Sequence, residues 1–310
     1  MNLSHAYDVA PSKTEAIKLL HGAFDLGVRH FDTAALYGFG SNESLIGEAL
    51  KQQRSEIFLA SKCAMTGVDG RRVIDGRPET LLKTVDEALQ RLQTDYIDLY
   101  YLHRWDKSVP IEDSMGAMVT MKQQGKIGAI GLSEVSANTL SKAQKIHPIA
   151  AVQTEYSLWS RNPELGILDT CIQNNTALVA FSPLGRGFLA GAVDSPEQFK
   201  EKDIRANMPR FQEPNFSKNK QWLKEFKLTA AQESCSPAQL ALAWVLNSSP
   251  VTHAIPGTRS LSHLRENIAA TEIKISTDAL DKLNRLINQN TVSGPRYPQA
   301  TQKEIDTEEF

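Results

Sequence analysis

The feature that most constrains the fold of this chain is the alternation of short apolar runs with longer segments of helical spacing. Each run is too short for a typical helix, and most are rich in β-branched or aromatic residues, so we expect strands. The seven runs are 28–32, 57–61, 96–102, 127–132, 149–152, 177–181 and 252–255. They are apolar throughout rather than alternating, which is typical of a parallel sheet covered by helices.

Helical spacing fills the segments between these runs. In 78–92, for example, Leu81, Val85 and Leu92 share one face, and Pro78 suits a first helical turn. The predicted helices are 13–26, 43–51, 78–92, 111–124, 137–145, 164–174, 218–235, 237–247, 261–270 and 277–288. An uninterrupted series of strand–helix units predicts an α/β fold, a (β/α)8 TIM barrel, as one domain over residues 1–310.

The barrel series is incomplete at its start. Only seven strands are visible, and no strand precedes the first helix, so the first strand is either missing or reduced to residues 1–3. Since an incomplete barrel exposes two sheet edges, we expect that the natural chain begins upstream of Met1. Two further segments stand out: 185–217, a long loop without periodicity that is expected to cover a cofactor, and 277–310, a C-terminal helix and tail.

Composition excludes several classes of protein. The formal net charge of −2 argues against a nucleic-acid partner, and no apolar run approaches the roughly 18 residues of a membrane span. The N-terminus has no signal-peptide pattern. Three widely spaced cysteines without a CxxC pair fit the cytoplasm and predict no metal site. Without coiled-coil heptads, a monomer is the default expectation.

Polar residues follow the ends of the predicted strands, where the active site of a barrel lies. Asp32 ends the first visible strand, Lys62 follows the second, and His103 follows the third; Tyr37 stands five residues after Asp32. The other strand ends carry Ser133, Glu134, Gln153, Tyr156, Ser182, Gly257, Thr258 and Arg259.

Asp32, Tyr37, Lys62 and His103 together predict a general-acid site. A tyrosine with a pKa of about 10 is a weak acid at neutral pH, and the ammonium of Lys62 is expected to lower that pKa. Asp32 would hold Lys62 in place, and His103 would orient a carbonyl oxygen. Such a site needs a hydride from a nicotinamide. Taken singly each residue also has a structural explanation, so their joint placement carries the prediction.

Seven ordered motifs resemble the aldo-keto reductase superfamily, in particular its bacterial and plant branch. They are FDTAALYG (31–38), SK (61–62), DLYYLHRWD (98–106), GKIGAIGLSEVS (125–136), VQTEYSLWSR (152–161), FSPLGRGFLAG (181–191) and IPGTRSLSHLREN (255–267). The resemblance implies an NADP(H)-dependent carbonyl reductase acting on a small-molecule carbonyl substrate. It also implies that Tyr37 is the general acid, that Lys62 and Asp32 support it, and that His103 orients the substrate oxygen.

The resemblance further implies a set of cofactor-binding residues. They are Ser133 and Gln153 at the nicotinamide carboxamide, Phe181 stacked on the nicotinamide, Ser182, Leu184, Gly185, Arg186 and Gly187 along the pyrophosphate, Gly257, Thr258, Arg259 and His263 at the 2′-phosphate, and Asn267 at the adenine. Glu134 departs from the asparagine common elsewhere. Arg259 beside the N-terminus of the 261–270 helix is independently suited to phosphate, which favours NADPH over NADH.

Two other functions stay open at this point. The chain could be a cofactor-binding regulatory subunit, or a barrel aldolase or lyase that uses Lys62 as a Schiff base. Trp105, Tyr156 and Trp159 are expected to line the mouth and to favour an apolar or aromatic carbonyl compound.

Overall fold

A parallel sheet forms the centre of the computed structural model, which describes residues 1–310. The strands are β1 (His30–Asp32), β2 (Phe58–Cys63), β3 (Met65–Val68), β4 (Arg71–Ile74), β5 (Ile97–Leu102), β6 (Ile127–Ser133), β7 (Ala151–Glu155), β8 (Ala177–Phe181) and β9 (Thr252–Ala254). Seven of them pair in the order β1-β2-β5-β6-β7-β8-β9, all parallel. This is the sheet that the seven apolar runs predict.

Helices connect successive strands, as the spacing predicts. They are α1 (Lys13–Asp25), α2 (Ser41–Leu50), α3 (Pro78–Leu92), α4 (Ile111–Gln123), α5 (Ala137–Gln144), α6 (Ile167–Gln173), α7 (Asn215–Gln232), α8 (Pro237–Leu246), α9 (Leu261–Ala269), α10 (Thr277–Leu286) and α11 (Gln299–Gln302). Helix α3 starts with Pro78 in its first turn and buries Leu81 and Val85, in agreement with its pattern. None of the helices is both long and apolar enough to cross a bilayer.

The two faces of the sheet are packed differently. A cluster of 58 buried residues fills the space between strands and helices, which makes this layer the main core. The other face carries a small cluster drawn from the strands alone. Its members are Ala60, Leu99, Tyr101, Ala151 and Val179. We call this side the inner face, and the region at the carboxyl ends of the strands the mouth.

The sheet has two free ends. Strands β1 and β9 lie at opposite ends of the strand order and do not pair with each other. Residues 2–4 form a turn and Met1 belongs to no strand, so the structure contains no remnant of a preceding strand.

Two connections differ from expectation. The segment after β2 forms an antiparallel hairpin, β3–β4, which the apolar pattern does not indicate because the hairpin is largely exposed. Its turn is Asp69-Gly70, and both residues have positive φ (50° and 73°), as a two-residue hairpin turn requires. The long loop 185–217 contains four short 3₁₀ turns, and α7 begins at Asn215, within its last residues.

Both termini of the chain lie against the mouth. In the N-terminal segment (residues 1–9), Ser4 Oγ accepts a hydrogen bond from Asn42 Nδ2 (2.8 Å), and His5 Nδ1 accepts one from the Gly38 amide (3.2 Å). The main-chain oxygen of Ala6 accepts from the amide of Ile204 in the long loop (2.9 Å). The N-terminal segment therefore joins the β1–α2 connection to the long loop.

The C-terminal tail (residues 296–310) contacts the loops after β5 and β6. Lys107 Nζ donates to the main-chain oxygen of Ile305 (2.7 Å). Asp306 Oδ2 accepts hydrogen bonds from Ser136 Oγ (3.0 Å) and Thr139 Oγ1 (2.7 Å). Arg296 is buried against Glu134, with 3.3 Å between Nη1 and Oε2. The tail is thus part of the wall around the mouth.

Candidate active site

Strand register explains why the predicted catalytic residues converge. Partners in a parallel sheet share a face, and side chains alternate along each strand. Asp32 pairs with Ala60, and Lys62 pairs with Tyr101, so both charged residues lie on the inner face. His103 stands two residues after Tyr101, just beyond the end of β5, and continues the same alternation.

The same register orients the later strand ends. Ser133 pairs with Gln153, and Gln153 pairs with Val179, a member of the inner cluster. Glu155 pairs with Phe181, again on the inner face. Six strand ends thus present polar or aromatic side chains to one mouth.

The four candidate catalytic residues meet in direct contact. Lys62 is 0% exposed, and its Nζ forms a salt bridge with Asp32 Oδ1. The same ammonium donates to the main-chain oxygen of Thr33 (2.7 Å) and to the Tyr37 hydroxyl (3.3 Å). The rings of Tyr37 and His103 meet edge-on with 5.7 Å between centroids. We call Asp32, Tyr37, Lys62 and His103 the tetrad.

Burial and charge act in opposite directions on the tetrad. Burial raises the pKa of Tyr37 above its ordinary value of 10.0, and the charge of Lys62 only partly opposes this rise. The sequence-based expectation of a lowered pKa is therefore wrong in net direction, because the hydroxyl is desolvated. For Lys62, burial favours the neutral amine, but the charge and hydrogen bonds of Asp32 and Tyr37 together raise its pKa.

His103 is held in its neutral form. Burial, together with the positive charges of Lys62 and Arg104, places its pKa well below 6.5. Its Nδ1 is buried and has no protein partner. A neutral imidazole beside a protonated phenol can donate a hydrogen bond to an oxygen without adding a charge to the mouth.

The residues expected at the nicotinamide carboxamide lie next to the tetrad. Gln153 Nε2 donates to Asp32 Oδ2 (2.8 Å), so its amide already orients the carboxylate that holds Lys62. Ser133 is 1% exposed, and its Oγ accepts from Arg104 Nη1 (3.4 Å). Phe181 ends β8 and is partly exposed on the inner face.

Glu134 points away from these groups. Its Oε1 accepts hydrogen bonds from Thr154 Oγ1 (2.9 Å) and from the Glu155 amide (2.8 Å). The carboxylate is 0% exposed and is paired with Arg296 of the tail. Glu134 therefore fixes the C-terminal tail to the end of β6.

The turn after β8 has an unusual backbone. Ser182, Gly185, Arg186 and Gly187 all have positive φ, between 51° and 92°. A positive φ costs little conformational free energy for the two glycines, but it strains the backbone of Ser182 and Arg186. Leu184 packs against the main core from this turn.

Arg186 is engaged within the protein. Its guanidinium donates to Glu155 Oε2 (2.7 Å), Ser182 Oγ (2.6 Å) and Tyr297 Oη (3.1 Å). Glu155 was not a sequence candidate, although its position two residues after Gln153 places it on the same face. The side chain of Arg186 therefore holds the turn to the sheet and to the tail.

The predicted phosphate pocket lies at the start of α9. Ser260 caps this helix and accepts a hydrogen bond from the amide of His263 (3.4 Å). Arg259 Nη1 donates to the main-chain oxygens of Tyr7 (3.3 Å) and Val9 (2.8 Å) in the N-terminal segment. The Thr258 hydroxyl contacts the Ser260 amide (3.1 Å). Gly257 lies just before helix α9, and Asn267 lies within it.

The three aromatic residues expected to line the mouth separate into two groups. Trp105 is half-buried directly after His103 and Arg104, and its Nε1 donates to the Val109 oxygen (2.9 Å). The other two, Tyr156 and Trp159, are buried, at 1% and 3% exposed. Tyr156 bonds to Glu164 and packs on Trp244, and Trp159 stacks on Phe188 with 4.2 Å between centroids.

Comparison with known proteins identifies the family of this chain. The model of the Aldo/keto reductase family matches residues 1–288. Aldo-keto reductase yakc [NADP(+)] of Schizosaccharomyces pombe is 40% identical over 305 residues, which cover 96% of this chain and 89% of the relative.

Solved structures have the same fold. The glycerol dehydrogenase AKR11B4 of Gluconobacter oxydans superposes with a TM-score of 0.83 at 28% identity, covering 96% of this chain and 92% of that one. An aldo-keto reductase of Klebsiella pneumoniae in complex with NADPH gives a TM-score of 0.71 at 26% identity, covering 93% and 89%. The predicted α/β barrel class and the family resemblance are both confirmed. The chain belongs to the aldo/keto reductase family of oxidoreductases.

Proposed function

We propose that this protein reduces an aldehyde or ketone to an alcohol with NADPH, and that Tyr37 supplies the proton. The observation that carries the proposal is the contact between the buried Lys62 ammonium and the Tyr37 hydroxyl (3.3 Å), with His103 edge-on to the same ring. The names of two similar proteins support the cofactor, since one carries NADP(+) in its name and the other was solved with NADPH.

The chain's own residues account for the proton and the oxygen. Neutral His103 donates to the carbonyl oxygen and orients it towards Tyr37. NADPH supplies the hydride when it is bound. Tyr37, protonated because of its raised pKa, gives its proton to the developing alkoxide. Lys62, fixed by Asp32 and the Thr33 oxygen, stabilises the negative charge that forms near the phenol.

The residues around the tetrad fit this cofactor. Ser133 and Gln153, which pair with each other next to the tetrad, are proposed to bind the nicotinamide carboxamide, and the partly exposed ring of Phe181 is proposed to stack on the nicotinamide. The backbone of the Ser182–Gly187 turn is proposed to follow the pyrophosphate. The start of α9, with Gly257, Thr258, Arg259 and His263, is proposed to bind the 2′-phosphate, and Asn267 the adenine. The 185–217 loop is proposed to cover the bound cofactor.

Replacing Arg259 with alanine tests the phosphate pocket. We expect the ratio of kcat/KM for NADPH to that for NADH to fall by about tenfold to a hundredfold, because one charge-assisted contact is lost. Steady-state kinetics with both cofactors measure the ratio. Arg265→Ala, an exposed change on α9, should leave the ratio unaltered. An unchanged ratio in Arg259→Ala would remove this residue from the pocket.

The raised pKa of Tyr37 predicts the pH dependence. Carbonyl reduction needs the protonated phenol, so kcat should remain high at neutral pH and decline only above about pH 10. Alcohol oxidation needs the phenolate, so its rate should instead rise towards alkaline pH. Steady-state rates of carbonyl reduction and of alcohol oxidation, measured across this pH range, test both pH dependences. A reduction rate that declines below about pH 9 contradicts this assignment.

The Schiff-base alternative is disfavoured by the tetrad itself. A lysine must be neutral to attack a carbonyl, and the ion pair with Asp32 and the raised pKa hold Lys62 protonated.

The deciding experiment titrates NADPH by fluorescence and then assays a panel of aldehydes. Consumption of NADPH with aldehydes supports the reductase. Tight NADPH binding without turnover of any aldehyde would favour a regulatory, cofactor-binding role instead.

A further inference from the structure

A buried guanidinium without an acidic partner lies beside the tetrad. Arg104 directly follows His103 and is only 9% exposed. Its Nη1 donates to the main-chain oxygen of His103 (2.7 Å) and to Ser133 Oγ (3.4 Å). Its Nε is buried and has no partner at all. No carboxylate forms a salt bridge with Arg104 within 4.0 Å.

Two other enclosed arginines are neutralised by carboxylates, whereas Arg210 donates to the main-chain oxygens of Trp159 and Gly294 and to Ser160 Oγ. Arg186 pairs with Glu155 at 2.7 Å, and Arg296 pairs with Glu134 at 3.3 Å. Pairing is the general rule, because an isolated buried charge loses its hydration without compensation. Arg104 has neither a carboxylate partner nor a partner for its Nε, and it directly follows His103 of the tetrad.

The Arg104 charge acts on the reacting residues. It contributes to the lowered pKa of His103, and it opposes the burial-driven rise in the pKa of Tyr37. Arg104 Nη1 contacts Ser133 Oγ (3.4 Å), and Ser133 pairs with Gln153 at the mouth, so the guanidinium lies next to the strand ends where substrate and nicotinamide are proposed to meet. The phosphates of the cofactor do not neutralise it, because they are proposed to lie along Ser182–Gly187 and at Arg259.

We propose that Arg104 binds a carboxylate on the substrate, so that the preferred substrates are aldehydes or ketones that also carry a carboxylate group. The inference rests on the proposed reductase function and deepens it. A guanidinium presents parallel N–H donors that match the two oxygens of a carboxylate. Trp105, the next residue, offers an apolar surface beside the charged end.

Matched substrate pairs test this specificity. We expect kcat/KM for 4-formylbenzoate to be at least tenfold higher than kcat/KM for benzaldehyde. We expect the same difference between 4-oxobutanoate and butanal. In Arg104→Gln the ratio of kcat/KM for the carboxylate substrate to kcat/KM for its neutral partner should fall to about one. Arg104→Lys should retain part of the preference, because lysine keeps the positive charge but lacks the parallel N–H donors of the guanidinium. Arg77→Gln, which removes an exposed arginine paired with Asp75, is the matched control and should keep the wild-type ratio.

Two kinetic results would overturn the proposal. One is a wild-type ratio near one for both pairs. The other is an equal loss of both activities in Arg104→Gln, which would make Arg104 a positioning residue for Ser133 or His103.

Binding measurements separate this proposal from the reductase proposal. If no aldehyde is reduced, the reductase function fails, and calorimetry then compares benzoate with benzamide on the NADP⁺-loaded protein. Tighter binding of benzoate that disappears in Arg104→Gln supports the carboxylate site. Equal binding of benzoate and benzamide rejects it.

Discussion

Replacing Tyr37 with phenylalanine should lower kcat for carbonyl reduction by about a hundredfold to ten thousandfold while NADPH still binds. The change removes the oxygen that delivers the proton and leaves the ring in place. Lys62 keeps its salt bridge with Asp32 and its hydrogen bond to the Thr33 oxygen, so no buried charge loses its partner. Stopped-flow measurement of a single turnover, with a fluorescence titration of NADPH, separates the chemical step from binding.

A second buried tyrosine provides the control for this experiment. Tyr100 is 0% exposed and belongs to the core between sheet and helices, and its hydroxyl has no hydrogen-bond partner. Tyr100→Phe therefore removes a tyrosine hydroxyl on the opposite face of the sheet. The kcat of this variant should stay close to the wild-type value. If Tyr37→Phe retains more than about a tenth of wild-type kcat, Tyr37 is not the proton donor.

Replacing Arg296 with methionine should lower the free energy of unfolding by about 3–5 kcal/mol. The substitution leaves the Glu134 carboxylate, 0% exposed, with its bonds to Thr154 and the Glu155 amide but without a counter-charge. Urea denaturation followed by circular dichroism measures the loss. The C-terminal tail should also become accessible to carboxypeptidase at lower urea concentrations.

Two variants show whether the buried charge causes this loss. The double variant Glu134→Gln/Arg296→Met removes both charges and should recover most of the stability. Arg72→Met breaks the pair with Glu304, whose partners are 40% and 29% exposed, and should cost less than about 1 kcal/mol. If Arg296→Met costs no more than Arg72→Met, the buried pair does not stabilise the tail.

The strand–helix order and the tetrad could be predicted because local signals carry them. Apolar runs mark buried strands, and the carboxyl ends of parallel strands meet at one edge. Asp32, Lys62 and His103 could therefore be placed together before any coordinates were known. The β3–β4 hairpin was missed because its strands are only four residues long and largely exposed, although the Asp69-Gly70 turn was a readable signal.

Other features depend on tertiary contacts that no local pattern reports. The partner of Glu134 lies 162 residues away in the tail, so its role as a buried ion-pair partner cannot be read from its neighbours. The net rise in the pKa of Tyr37 depends on how completely the mouth is desolvated. Tyr156 and Trp159 follow β7 closely, but their rings turn towards Trp244 of helix α8 and Phe188 of the long loop, and only the packing decides that direction.

The contacts of the C-terminal tail have a consequence for the timing of synthesis. The residues that pair with Glu134, Ser136 and Lys107 leave the ribosome after every strand of the sheet. A nascent chain can form the sheet and bring Asp32, Lys62 and His103 together, yet it still lacks one wall of the mouth. Ligand binding should therefore mature only after residues 296–310 have left the ribosome and packed against the loops after β5 and β6.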